Sequence, residues 1–182
     1  MTTSTHLPHI AQWVAALHER RARMTDPERI AELDLLIEHL VAEGERDLPR
    51  TMATLLPGGR YHSWGGSSGY TATVAEQEEL YRTVLDQSEN TFNLYLEIER
   101  FFSGPHGVCM DGTLHKQASA EEVVRNGHEL PAGANPEEPL VVSRRMALLV
   151  SFESGLMVGE DMYRDNYAEV TTAAEWARRA TQ

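Results

Sequence analysis

The sequence predicts an α+β fold, a curved antiparallel sheet with its helices segregated to one side. Helical spacing of apolar residues dominates as far as about residue 87, and from residue 91 onward the apolar residues alternate with a period of two. Two long apolar-rich runs flank a Glu153-Ser154-Gly155 turn, which predicts a long hairpin. The strand–helix–strand spacing of a parallel sheet is rare in this chain, so a doubly wound fold is disfavoured.

The helices are predicted from apolar stripes and from their end signals. The first covers residues 8–24 and ends in three arginines, where cations favour the helix dipole. Asp26 is a suitable cap for a second helix, and Pro27 fits its first position. That helix ends near Gly44. Further helices are predicted over 47–56, 73–87 and, weakly, 172–180.

The strands follow from alternation and from turn residues. Arg60–Trp64 is a short strand that leads into a Gly/Ser loop. Phe92, Leu94, Leu96 and Ile98 alternate with polar residues, as in a half-buried strand. A Gly-Pro-His-Gly turn leads to a second strand over about 108–117. A helical turn and an irregular loop then occupy 119–139, before the hairpin of 140–165.

Composition excludes several classes of function. The chain of 182 residues has a net charge of −12, which disfavours binding to nucleic acid or to an anionic membrane surface. No apolar run is long enough for a transmembrane helix, and the N-terminus does not resemble a signal peptide. The single cysteine, Cys109, has no internal disulfide partner, so a reducing cytoplasm is expected.

Three segments together resemble a known superfamily. The first is Ala42-Glu-Gly-Glu-Arg-Asp-Leu-Pro-Arg-Thr-Met-Ala-Thr-Leu-Leu-Pro with the following Arg60-Tyr-His; the second is Leu96-Glu-Ile-Glu-Arg-Phe-Phe with the later Asp111-Gly-Thr-Leu-His. The third is Phe152-Glu-Ser-Gly-Leu-Met-Val-Gly-Glu-Asp-Met-Tyr-Arg-Asp. Over residues 27–168 the chain is similar to the NTF2-like (cystatin-like) superfamily, especially SnoaL-like polyketide cyclases and limonene epoxide hydrolases.

The resemblance implies a cone, whose bent sheet and overlying N-terminal helices enclose a deep apolar pocket. It also implies a homodimer formed through the convex face of the sheet. The expected organisation is an N-terminal helical extension (1–25), a SnoaL-like domain (26–169) and a C-terminal tail (170–182). The chain departs from its relatives where they carry catalytic acids, because Met162 and Leu148 stand near those positions.

The hairpin register predicts which side chains face the pocket. If Gly155 is the third residue of a loop closed by a G1 bulge, Leu148 pairs with Glu160 and Met146 with Met162. Arg144, Glu160 and Met162 would then point inward; a two-residue loop would instead present Asp161 and Tyr163. Glu160 in an apolar cavity would have a raised pKa suited to proton transfer. An inward Arg144 would need a carboxylate or an anionic substrate, and its alternative is a surface position.

Further candidates come from other strands. Asp111 and His115 share one strand face and are a candidate acid/base pair, or part of a solvated face. Tyr61, with Ser63 on the same face, resembles the position that holds a water in epoxide hydrolase-like relatives, and Trp64 and Tyr95 are expected to be pocket walls. Neither a metal nor a cofactor is expected, because the His6–His9 pair lacks a third ligand and the loop after Trp64 lacks a phosphate-binding lysine.

The leading hypothesis is a cofactor-independent enzyme that acts on a small apolar metabolite by proton transfer, cyclisation, isomerisation or hydration. Asp111 with His115, or Glu160, would supply the acid/base; Arg144 would stabilise charge, and Tyr61 would orient the substrate. The alternative is a non-catalytic small-molecule-binding or dimerisation module with the same cone. An exposed acid at Asp111 or Glu160 would favour the module.

Overall fold

The computed structural model describes residues 7–65, 69–87 and 93–180. Within these residues the N-terminal half is mostly helical. The helices are α1 (Ile10–Arg21), α2 (Pro27–Gly44), α3 (Leu48–Ala53), α4 (Val74–Gln87), α5 (Ala120–Arg125) and α6 (Ala173–Ala180). The strands are β1 (Arg60–Trp64), β2 (Tyr70–Thr73), β3 (Leu94–Gly104), β4 (Gly107–Ala118), β5 (Leu140–Glu153), β6 (Leu156–Arg164) and β7 (Glu169–Thr172). Phe92, predicted to begin β3, lies outside the described residues.

The predicted helix signals near residue 26 are confirmed. The Asp26 carboxylate accepts hydrogen bonds from the backbone N–H groups of Glu28 and Arg29, and Pro27 occupies the first turn of α2. α1 begins later than predicted because His9 caps it: the imidazole accepts from the backbone of the first turn, while Gln12 reaches back to the His9 N–H. Each cap satisfies backbone donors that the helix itself leaves open.

The strands form one curved, unclosed sheet in the order β2-β1-β6-β5-β4-β3, and β7 pairs with the first part of β5. The four long strands β3 to β6 pair antiparallel as predicted. Two short strands, β2 and β7, were not predicted. β1 runs parallel to β6, so the sheet is not purely antiparallel. The predicted α+β fold is confirmed.

The turn of the long hairpin differs from the prediction. Ser154 and Gly155 both have positive φ, 54° and 76°, and Glu153 pairs with Leu156. Two consecutive positive φ values define a two-residue type I′ turn. The predicted three-residue loop with a G1 bulge is therefore wrong.

A bulge farther along the hairpin offsets the different turn. Val158 is an extra residue in β6, after which Val150 pairs with Glu160 and Leu148 with Met162. The predicted pairing of Leu148 with Glu160 is thus displaced by two residues. Because a two-residue shift preserves the face, Glu160 and Met162 still lie on the same face as the apolar residues of β5.

The core lies between the helices and one face of the sheet, here called the inner face. Leu33, Leu36 and Leu17 come from the helices and are fully buried; they share one cluster with Met110 and Leu148 of the sheet. The opposite, outer face carries the alternate residues of each strand. No helix among the described residues is long and apolar enough to cross a membrane.

Candidate functional site

Polar side chains interrupt the core at one place on the inner face. His39 and Glu43 come from α2, Tyr81 from α4, Tyr61 from β1 and Glu160 from β6. His39, Glu43, Tyr61 and Tyr81 are buried, and the charge of Glu160 acts on His39 and on both tyrosines. We call these five residues the inner-face cluster. Buried ionisable groups in contact with one another mark candidate sites of acid/base chemistry.

The hydrogen bonds of His39 determine its tautomer. Thr54 Oγ1 donates its one proton to the carbonyl of Thr51 at 2.6 Å, so it must accept from His39 Nδ1, which lies 2.7 Å away. Nδ1 is therefore protonated, and Nε2 lies 3.4 Å from Glu43 Oε1. Burial lowers the pKa of His39, but the Glu43 carboxylate, together with the Glu160 charge and a hydrogen bond to the Thr51 backbone, more than offsets burial and raises it.

Tyr81 connects α4 to the same carboxylate. Its hydroxyl donates a hydrogen bond to Glu43 Oε1, the oxygen that also faces His39. Burial and the charge of Glu43 raise the pKa of Tyr81 well above its usual value, so the hydroxyl stays protonated. Glu43 Oε1 is consequently held between the His39 imidazole and the Tyr81 phenol.

Glu160 completes the cluster from the sheet. It pairs with Val150, and the side chain is half-buried. Burial, followed by the Glu43 charge, raises its pKa from the ordinary 4.5 to about 7, and His39 opposes the rise. A carboxyl that titrates near neutral pH is able to both accept and donate a proton under physiological conditions.

Three buried polar atoms on α2, β1 and α4 lack a well-formed hydrogen bond among the residues that the structure describes. They are His39 Nε2, Tyr61 Oη and Gln77 Oε1, on side chains that are 0%, 0% and 5% exposed; the Tyr61 hydroxyl also interacts with Tyr81. Burial and the Glu160 charge raise the pKa of Tyr61 well above its usual range, so its hydroxyl is a donor. An unpaired buried polar group is costly, so these atoms mark a place where a ligand or water is accommodated.

The remaining inward candidates lie beside the cluster on β1, β5 and β6. Met162 pairs with Leu148 and Ser63, and it packs against the core. The Ser63 hydroxyl accepts a hydrogen bond from Arg164. Arg144 is half-buried at the far end of β5, where a guanidinium nitrogen lies 3.3 Å from a nitrogen of His128. Its pKa is lowered by burial and by the charge of Arg164.

Four other predicted residues lie on the outer face, which they share by strand alternation. Asp111 and His115 are four residues apart in β4, about 13 Å along an extended strand. Asp111 pairs with Arg100 and Arg145, whereas His115 contacts Ser143, Glu97 and Trp176. The predicted acid/base contact between Asp111 and His115 is therefore not formed.

The two predicted pocket walls are also placed outside the core. Trp64 is 42% exposed and stacks on Tyr163 with ring centroids 4.5 Å apart. Tyr95 pairs with His115 on the outer face, and the two rings lie 6.0 Å apart. Neither side chain belongs to the inner-face cluster, because Tyr61 and Ser63 alternate with Trp64, and Leu96 rather than Tyr95 faces the core.

The sequence prediction missed His39, Glu43 and Tyr81. A signal was available in α2: His39 follows Leu36 by three residues, and Glu43 follows Leu40 by three, so both lie on the apolar stripe of the helix. A His–Glu pair four residues apart on a buried stripe is a polar site rather than a solvated helix face. Among the described residues, no group of three or more His, Cys, Asp or Glu side chains is arranged to hold a metal ion.

Comparisons with known proteins support the fold. No family model and no curated protein matches the chain. A Shewanella putrefaciens CN-32 protein assigned as a SnoaL-like polyketide cyclase has a similar structure, with a TM-score of 0.59 and 13% identity over 94% of this chain and 95% of that one. An LEH-like epoxide hydrolase from M. tuberculosis has a TM-score of 0.52 and 16% identity, covering 78% and 83% of the two chains.

An NTF2-like protein of unknown function from Burkholderia pseudomallei K96243 gives a TM-score of 0.52 with 20% identity, over 84% of this chain and 98% of that one. At such low identities the likeness concerns the backbone and not the chemistry. The resemblance predicted from the three sequence segments is confirmed at the level of the fold: this chain has the NTF2-like fold.

Proposed function

We propose that this protein is a cofactor-independent enzyme that moves a proton on a small, largely apolar molecule held inside the cone. The observation that carries the proposal is Glu160, whose pKa lies near 7 beside a buried His39–Glu43 pair. Apolar side chains of the inner face surround this cluster, and such a setting favours a carboxyl that exchanges protons near neutral pH.

Each member of the cluster has a role in this proposal. The ionised Glu160 removes a proton from carbon next to a carbonyl, and the electron pair of the C–H bond moves to the carbonyl oxygen. Tyr61, whose buried hydroxyl forms no well-aligned hydrogen bond among the described residues apart from its interaction with Tyr81, donates a hydrogen bond to that oxygen. Glu160 then returns the proton to the same or another carbon. His39 and Glu43 set the charge that Glu160 experiences, and Ser63 and Met162 would contact the substrate.

Solvent deuterium incorporation tests this proposal without a known substrate. The protein is incubated in D₂O with a panel of small apolar ketones, and exchange of the α-hydrogens is followed by NMR. We expect catalysed exchange, and we expect Glu160→Gln to reduce its rate by about 100-fold or more. Asp161→Asn is the matched control because Asp161 is the neighbouring acid and faces the other side of the sheet. Equal rates for the two variants would refute the role of Glu160.

The alternative is a binding module that keeps the cone without catalysis. Leu148 and Met162 favour it, since both are apolar where the resemblance places catalytic acids. A binding module would give no exchange in any ketone, while the same ketones would still raise the melting temperature of the protein.

We also propose a homodimer that forms through the outer face of the sheet. Phe102, Leu149, Tyr163 and Trp64 are large apolar or aromatic residues, between 36% and 59% exposed, on this face. Cross-strand pairing places them in two groups: Phe102 and Leu149 both oppose Cys109, and Tyr163 opposes Trp64. Contiguous exposed apolar residues mark interaction surfaces.

Analytical ultracentrifugation tests the dimer. Leu149→Arg places a charge on this face and should give monomers at concentrations where the wild type is dimeric. Tyr167→Arg is the control, because Tyr167 is 74% exposed and lies in the loop after β6. A monomeric wild type would overturn the proposal.

We also propose that the protein is located in the cytoplasm. The support is the single cysteine, Cys109, which is free and partly buried. Free cysteines persist in reducing compartments.

A further inference from the structure

A cavity lies on the other side of the sheet from the inner-face cluster. It is a groove of about 730 Å³ between α1, the outer face of β3 to β5, β7 and α6. That volume is within the range of small-molecule sites. We call it the α1–α6 groove.

Aromatic rings form one wall of the α1–α6 groove. The Tyr95 and His115 rings lie 6.0 Å apart at an angle of 26°, and His115 meets Trp176 edge to face at 5.5 Å. The indole N–H of Trp176 donates to His115 Nδ1 at 3.1 Å. Because indole nitrogen only donates, Nδ1 carries the lone pair and Nε2 carries the proton. The wall is therefore electron-rich and uncharged.

The arginines that line the groove are already engaged. Arg20 donates to the backbone carbonyls of Ala16 and Ile98. Arg179 pairs with Glu169 and with Glu175. Their guanidinium groups are thus held by partners from this chain and are poor candidates for binding an added anion.

Within the part of the chain that the structure describes, two carboxylates on the groove have no Lys or Arg partner. They are Glu97, which contacts the neutral imidazole of His115 at 3.2 Å, and Glu19. The charge of each acts on the Tyr95 hydroxyl, whose pKa is raised by burial and by Glu97, lowered by Arg20 and raised by Glu19. Negative charge therefore exceeds positive charge beside the aromatic wall, because Glu97 and Glu19 face the single charge of Arg20, in a chain whose net charge of −12 already attracts cations.

A buried hydroxyl also points to a ligand in this groove. Thr171 lines it and is 7% exposed, and its Oγ1 has no hydrogen-bond partner within residues 7–65, 69–87 and 93–180. A hydroxyl buried without a partner is unfavourable, and a ligand hydroxyl or N–H group would satisfy it.

We propose that the α1–α6 groove binds a small organic cation, an alkylammonium or quaternary ammonium compound with a hydrogen-bonding group. The cation would lie against Tyr95 and Trp176, since ring faces attract ammonium groups. Glu97 and Glu19 would balance its charge, and Thr171 would bond its polar group. This site is separate from the inner-face cluster and does not depend on the proton-transfer proposal.

Calorimetric titration of the full chain with choline tests the proposal. The neutral isostere 3,3-dimethylbutan-1-ol has the same shape and hydroxyl but lacks the charge. We expect choline to bind at least about tenfold more tightly than the alcohol, because only choline carries the charge that the ring faces and one carboxylate attract. Equal affinities, or no binding of either compound, would overturn the proposal.

Two matched variants locate the site. Glu97→Gln removes one groove charge and should weaken choline binding at least about tenfold. Glu99→Gln is the control, because Glu99 is on the same strand but pairs with Arg145 and does not line the groove. Tyr95→Leu should weaken choline more than the neutral alcohol, which distinguishes loss of a ring face from loss of folding. Unchanged choline binding in Glu97→Gln would contradict the assignment.

Discussion

Replacing Glu160 by glutamine should change how the stability of the protein depends on pH. Burial raises the pKa of Glu160 from 4.5 to about 7. Each pKa unit corresponds to about 1.4 kcal/mol, so ionising this carboxyl in the folded state costs about 3 kcal/mol. Glutamine has nearly the same shape and does not ionise, so the substitution removes this cost. Part of this stabilisation is offset in the variant, because the Glu160 charge also raises the pKa of His39 and the neutral glutamine does not.

The sign follows from the direction of the shift. A carboxyl with a raised folded-state pKa contributes stability below its unfolded pKa, near 4.5, and loses it as pH rises through the folded value, near 7. Wild-type stability should therefore fall between pH 4.5 and 7 relative to the glutamine variant. Above pH 8 the variant should be relatively more stable by about 2–3 kcal/mol than it is at pH 4.5.

Urea unfolding of both proteins at equal concentration, from pH 4.5 to 8.5, measures this difference. Glu153→Gln is the control because Glu153 is exposed at the hairpin turn. The free energy of unfolding of Glu153→Gln should differ from that of the wild type by a constant amount, within about 0.5 kcal/mol, across this pH range. If the free energy of unfolding of Glu160→Gln also differs from that of the wild type by a constant amount across this pH range, Glu160 does not titrate near neutral pH and the reasoning is refuted.

Three further substitutions test the packing around the site by denaturant unfolding. Thr54→Val leaves the buried histidine Nδ1–H without an acceptor and should cost about 1–3 kcal/mol, whereas Thr54→Ser should retain most of the stability; equal losses would contradict this hydrogen bond. Gly159→Ala should cost at least about 2 kcal/mol, because φ is 141° and an added Cβ would meet a backbone carbonyl oxygen; Gly104→Ala, with open space around it, should not. Leu17→Ala should cost about 2–5 kcal/mol if α1 is part of the core, while the exposed Val124→Ala should be nearly neutral.

The fold was predictable because its main signals are local. The Asp26-Pro27 helix start, the alternation in β3 and the long hairpin depend on neighbouring residues, and all three are confirmed. β2 and β7 were missed because each has only four residues, too few for a periodic signal. The parallel pairing of β1 with β6 joins residues about 100 positions apart and has no local signature.

The candidate site was less predictable because it depends on contacts between distant elements. Glu160 was predicted to lie on the inner face from the wrong turn type, and the bulge at Val158 compensated for that error. The Tyr81–Glu43 bond joins α4 to α2, so no spacing within one element indicates it. Asp111 and His115 shared a strand face as the pattern implied, but arginines contact the aspartate from two other strands.

The most direct test of the central claim is an NMR titration of the Glu160 carboxyl in protein labelled with ¹³C at glutamate Cδ. Glu160→Gln assigns the resonance by its disappearance. The account predicts a midpoint near 7 that moves when an apolar ketone is added. A midpoint near 4.5 that is indifferent to the ketone would contradict an acid/base site inside the cone.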